Sequence, residues 1–297
     1  MRKHIIQPFL APLALLLCLS VSNCGPDVPE HILPTKKIEQ CQPAPIQPPP
    51  APPSKPVPPP QALADPDIAA DPKVLRVGVF PDAPPFIYKK DEKIQGLEAD
   101  LAQQLAAFSG KTVQFVKVPE KRATEALVEG HIDIIMSGRK IGTSKDCNVI
   151  SSEPYLRGGQ ILLVRSRDTA LFSTGIYSLE NSGFTFGVIK GSAGDRFLTR
   201  NIQGVRILRF QKVDAAIQAL TLKKIDLFLH DAPTICYYAA GKSAALTPIL
   251  TLVTEEFLGW EMRKEDEDLR QQANHFIQQT RTDGRLQKTI KQWTPNL

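Results

Sequence analysis

Two stretches of alternating strand and helix signals, 75–136 and 184–229, constrain this chain more than any other feature. In the first, 75–79 and 112–118 read as strands, and Leu97, Leu101, Leu105 and Phe108 fall on one face of a helix between them. A short helix over 123–129 leads into Ile132, Ile134, Ile135 and Met136, a nearly continuous apolar run of the kind expected when a strand is covered on both faces of a parallel sheet. The same order returns with strands near 184–189, 205–210 and 225–229, and helices from Ala193 and over 213–222. Two such βαβ units predict an α/β protein of two lobes, each a mostly parallel sheet flanked by helices.

The chain ahead of these units has a different character. Arg2, Lys3 and His4 precede a short apolar segment over 9–21, the pattern of a secretory signal peptide and too short for a comfortable membrane span. Val21-Ser-Asn-Cys24 has the form of a bacterial lipobox with Asn23 at a position usually held by a smaller residue, so Cys24 is the expected lipidation site. Residues 42–60 hold eleven prolines in nineteen positions, which removes backbone donors and favours an extended polyproline spacer. At ~3.1 Å per residue such a spacer reaches on the order of 60 Å. The expected organisation is a signal peptide over 1–24, a tether over 25–72, a first lobe over 73–156, a second over 157–255, and a return to the first over 256–297.

The loop after the Ile132–Met136 run carries Ser137, Arg139, Lys140, Thr143, Ser144 and Lys145. In open α/β sheets small ligands bind beyond the carboxyl ends of the strands, so this loop is either a binding site or an ordinary solvated connection. Its order, Ser-Gly, then Ile-x-Thr-Ser-Lys, then Ser-Glu-Pro-Tyr, resembles the signature of the family 3 extracytoplasmic solute-binding proteins that serve polar amino-acid ABC importers. Pro85-Phe86, Gly96-Leu-Glu-Ala-Asp100, Leu127-Val-Glu-Gly-His-Ile-Asp133, His230-Asp-Ala-Pro-Thr234 and the final Asp283 to Trp293 segment fall where that family has similar pieces, so the resemblance covers about 73–294.

The resemblance implies the type II periplasmic-binding-protein fold, with crossovers near 155–159 and 254–258 forming a hinge and the last helices returning to the first lobe. It also implies a ligand site. Ser137, Gly138, Lys140, Thr143 and Lys145 come from the first lobe, with Glu120 at its rim; Gly191, Ser192, Ala193 and Asp231 come from the second. Lys145, Ser137 and the Ser192 turn are expected to face a carboxylate, the turn through backbone N–H groups at a helix start. Asp231 is expected to face an ammonium group, and Asp before Ala-Pro also starts a helix well. The sequence departs from the family at Lys145, usually arginine, at Gly142, usually threonine, and at Ala83 and Glu120, usually aromatic. Lysine neutralises a carboxylate without the planar fork that grips it at two points. Lys140 stands where the family has a small or hydroxyl residue; it gives the site a basic lip suited to an acidic ligand, or it pairs with an acid such as Glu120.

Other chemistry finds little support. Ser137-Gly-Arg-Lys140 matches S-x-x-K but follows a strand and lacks companion motifs. No histidine or cysteine spacing suggests a metal, and no cofactor is expected. Nucleic acid does not fit an exported chain with scattered charge and a net charge of +5. Cys147 and Cys236 belong to different expected lobes and are read as reduced, small, buried residues, with Cys41 in the tether. The sequence therefore predicts an exported, lipid-anchored, monomeric binding protein, not an enzyme, that passes a polar amino acid or organic acid to an inner-membrane ABC permease. Two alternatives remain open: a dehydratase of prephenate-like or arogenate-like compounds with Glu120 as general acid, and a sensing or assembly module without transport.

Overall fold

A computed structural model describes residues 71–241, 245–295 and 297; the leader, Cys24, Cys41 and the proline-rich tether lie outside the described residues. Two five-stranded sheets organise the chain. The first runs in the order Thr112–Lys117, Val74–Val79, Ile134–Ile135, Glu261–Arg263 and Val149–Ser151, with the first three strands parallel. The second runs Arg206–Phe210, Thr185–Ile189, Leu227–Asp231, Gln160–Arg165 and Leu246–Ile249, again with three parallel strands first.

Both sheets end in antiparallel pairs at Glu261–Arg263 and Gln160–Arg165, which the sequence reading omitted. Three of the four added strands are only three or four residues long, below the length at which a period is readable. The apolar Ile161 to Val164 run was legible and was passed over.

Alternation between faces explains the continuous apolar runs. Ile161, Leu163 and Phe228 point into one core of the second lobe with Ile217 and Ile235, whereas Leu162, Val164, Leu227 and Leu229 point into another with Phe172 and Leu198. In the first lobe Ile134 joins Leu101, Leu105, Trp260 and Phe276, while Ile132 and Ile135 pack with Ala126 and Leu127 on the opposite face. The expected strand over 132–136 is buried except at Asp133 and makes ladder pairs only at Ile134–Ile135.

The helices Glu267–Thr282 and Arg285–Trp293 return to the first lobe, placing Ala273, Phe276, Ile277, Leu286 and Ile290 in its core. Between the lobes Leu156–Gly158 pairs antiparallel with Glu256–Leu258. These are the two crossing segments. No helix of the described residues is long and apolar enough to cross a membrane.

Both cysteines of the described region are free thiols. Cys236 faces the second lobe's core, and burial together with the Asp231 charge pushes its thiol up to about 11. Cys147 corrects the sequence reading: it is exposed, because it lies in a polar loop before Val149 and not on a packed element.

Candidate functional site

The 137–145 loop leaves the first sheet at the carboxyl end of Ile134–Ile135, and its side chains divide between support and presentation. Ser137 is buried; its Oγ accepts from the Phe80 N–H at 3.1 Å, which leaves the hydroxyl proton free to donate. Gly138 donates its N–H to Glu98 Oε2 at 2.5 Å. Arg139 turns inward, 3.3 Å from Glu261 and 5.5 Å from the centre of the Phe80 ring. Thr143 Oγ1 donates to the Lys140 carbonyl at 2.7 Å. Lys145 is exposed and takes part in no ion pair among the described residues.

Lys140 does not pair with Glu120, which stands exposed on a short turn. Its Nζ lies 2.6 Å from Glu256 Oε2, on the second crossing strand. Glu256 in turn is 3.5 Å from Gln160 Nε2 and 3.5 Å from Thr254 Oγ1. Gln160 is 2% exposed, and its Oε1 has no partner among the described residues. A Cβ on Gly194 would lie 3.0 Å from that oxygen, so glycine lets the helix start settle against Gln160. Gln160 and Asp231 are direct partners in the antiparallel ladder and therefore share a face. Asp231, Gln160, Glu256 and Lys140 thus form a row from the second lobe, across the crossing strand, to the first lobe's loop.

At the second lobe's end of this row, Ser192 caps the helix Ala193–Asn201, its Oγ accepting from the Asp195 N–H at 3.2 Å. The Gly191 N–H is already committed to the Asp195 carboxylate at 2.9 Å, and Arg209 holds that carboxylate from the other side at 2.8 Å. The Ala193 and Gly194 N–H groups are the ones left without a partner among the described residues. Asp231 ends the Leu227–Asp231 strand and caps the helix Ala232–Ala240, Oδ1 accepting from the Thr234 N–H at 3.1 Å. Burial opposes its charge, but the adjoining His230 and the Thr234 hydrogen bonds prevail and hold its carboxyl at about 2. The strand expected over 225–229 is shifted two residues, which puts Asp231 in the ladder and at the helix cap together.

The lobes touch beside this row. Thr234 Oγ1 lies 3.4 Å from the Pro84 carbonyl, and the Tyr88 and Tyr237 rings are 6.2 Å apart. Where the loop meets the crossing strand there is a cavity of about 540 Å³, lined by Lys140, Ile141, Thr143, Pro154, Glu255, Glu256 and Phe257.

Beneath the loop is a group that the sequence reading missed. Glu98, in the first turn of Leu97–Phe108, is fully buried. The Tyr155 hydroxyl and the Trp260 indole N–H stand beside it, and neither completes a hydrogen bond of good geometry. Burial raises the carboxyl to about 7, and the polar groups of Tyr155, Gly138 and Trp260 offset only part of that. Its sequence signal is weak, because acids are ordinary in the first turn of a helix and Asp100 stands two residues on. Glu256 had no signal, since its lysine partner is far away in the chain.

The family model for bacterial extracellular solute-binding proteins, family 3, matches residues 75–296. Among curated proteins, the L-cystine-binding protein of Escherichia coli is 26% identical over 220 residues, 74% of this chain and 82% of that one. Cyclohexadienyl dehydratase of Pseudomonas aeruginosa is 29% identical over 160 residues, 54% of this chain and 59% of that one. Among solved structures, an ancestral cationic amino acid solute-binding protein aligns with a TM-score of 0.70 at 28% identity, covering 75% of this chain and 96% of that one.

Proposed function

The chain belongs to the bacterial extracellular solute-binding proteins of family 3, and from that membership we propose that it captures a polar amino acid or related small carboxylate between its lobes and delivers it to an inner-membrane ABC permease. The observation that carries the reading is the row of Asp231, Gln160, Glu256 and Lys140 beside the paired crossing strands, where closure of the lobes would enclose a small solute. Asp231 supplies the anion for an α-ammonium group. Ser137, the Ala193 and Gly194 N–H groups and the Lys145 ammonium supply donors for an α-carboxylate. Gly138, Thr143, Gly191 and Ser192 shape the two loops that present them, and Glu120 stands at the rim. The lobes are taken as 73–156 with 256–297, and 157–255. Ahead of them, residues 1–24 are read as a signal peptide ending in lipidated Cys24, and 25–72 as a tether holding a monomer at the cell envelope.

A thermal-shift screen of the full chain against amino acids, dicarboxylates and prephenate checks this directly. A ligand at 100 times its Kd is expected to stabilise the protein by about 2.7 kcal/mol. Asp231→Asn keeps a good helix cap while removing the charge, so it is expected to abolish that shift without unfolding the second lobe. A carboxylate that still stabilises the Asp231→Asn variant would instead mark an organic-acid receptor.

The dehydratase relative favours one second reading, an enzyme acting on a prephenate-like compound. Release of carbon dioxide from prephenate would establish it, and ligand-induced stabilisation without turnover would reject it.

A further inference from the structure

Resting on that reading of the cleft, we propose that Lys140 and Glu256 form a built-in charge pair that sets the ligand class: the site takes an amino acid with a neutral or acidic side chain and turns away a cationic one. A cationic side chain needs an anion that is not already answered. The second crossing segment brings two carboxylates to the cavity, Glu255 and Glu256; Arg157 holds the first at 2.6 Å, and the chain's own Lys140 reaches the second at 2.6 Å. The two side chains are 30% and 14% exposed, so the pair is sheltered from solvent, and Gln160 and Thr254 stand close to both carboxylate oxygens. An incoming ammonium or guanidinium would have to displace the Lys140 ammonium from Glu256, and the like charges repel more strongly once closure of the lobes removes water. Asp231, on the far side of Gln160, has the His230 imidazole beside it but pairs with no lysine or arginine among the described residues, and it takes the α-ammonium that all amino acids share. The backbone of the loop holds the pair in register, because Lys140 forms an isolated bridge with Leu258, two residues from Glu256.

A purely structural ion pair would change stability and leave ligand preference alone. Calorimetric titration of the full chain with L-glutamine, L-glutamate and L-lysine separates the cases. The parent is expected to bind glutamine or glutamate in preference to lysine. Lys140→Ser, which frees Glu256, is expected to gain lysine affinity on the order of tenfold or more, the worth of one charge-assisted hydrogen bond. Lys140→Met keeps the stem's packing and is expected to show the same gain, which covers the case of a poorly folded serine variant. Glu256→Gln frees the lysine and is expected to gain glutamate affinity, while the Lys140→Ser, Glu256→Gln double variant loses the lysine gain.

Lysine as the parent's tightest ligand, or lysine affinity unmoved in both Lys140 variants while the parent binds another amino acid, overturns the inference and leaves the receptor reading standing. A parent that binds none of the three, with Lys140→Ser binding lysine, supports the charge pair, and the wider thermal-shift screen then decides the receptor reading. Binding of none of the three by any variant overturns the charge pair.

Discussion

Glu98→Gln is expected to make the protein more stable than the parent at pH 8, by about 3 kcal/mol, and to make no difference below pH 4.5. The sign follows from burial. The Glu98 carboxyl is raised from its ordinary 4.5 to about 7 in the folded chain, so the folded state holds the proton more tightly than the unfolded state. The corresponding stability is fully present below pH 4.5, is lost as pH rises from 4.5 to about 7, and stays lost above that. Glutamine has the same shape and no charge, and it still offers an oxygen to the Gly138 N–H. Its amide donates toward the Tyr155 hydroxyl, a group without a partner in the parent. Urea unfolding of parent and variant at several pH values between 4.5 and 8 gives the difference directly. Identical pH slopes for the two proteins would mean that Glu98 ionises without a burial cost. The experiment also reaches the 137–145 loop, because the same carboxyl accepts from the Gly138 N–H and stands beside the stacked pair of Tyr155, next to the first crossing strand, and Trp260, just after the second.

Gly159→Ala is expected to destabilise the protein on the order of 3 kcal/mol, lowering Tm by roughly 6 to 12 °C. A Cβ at Gly159 would stand 1.8 Å from the Thr254 carbonyl oxygen. That obstacle is backbone, with no flexible end to swing away. Neither strand can step aside cheaply, since the Gly159 carbonyl accepts from the Ala232 N–H at 2.9 Å and the Gln160 N–H donates to Thr254 Oγ1 at 3.0 Å. The variant must break these bonds or spread the two crossing segments, and either change disturbs the row at Gln160. The neighbouring glycine supplies the control. Gly158→Ala meets nothing within 4 Å and is expected to change stability by less than about 1 kcal/mol. Calorimetric melting of the two single variants checks the contrast, and equal effects at both positions would count against hinge crowding as the cause.

The sequence by itself determined the architecture, because the information involved is local and repetitive. Strands of period two and helices of period 3.6 announce themselves wherever a face is buried over enough residues, and the 97–108 helix could be read to the residue. Asp231 was legible for the same reason: a capping acid before Ala-Pro is a local signal, and the structure gives it that role. Tertiary structure alone decided which charges meet. Lys140 and Glu256 are separated by most of the second lobe in sequence, as are Glu98 and its neighbours Tyr155 and Trp260 along the chain, and no periodicity encodes such pairs. Burial was likewise hidden. Glu98 and Cys147 have similar claims to a solvated surface or a packed interior when read as letters, yet the first is sealed beneath the 137–145 loop and the second is exposed, because which side of a helix or loop faces protein depends on what the rest of the chain brings against it.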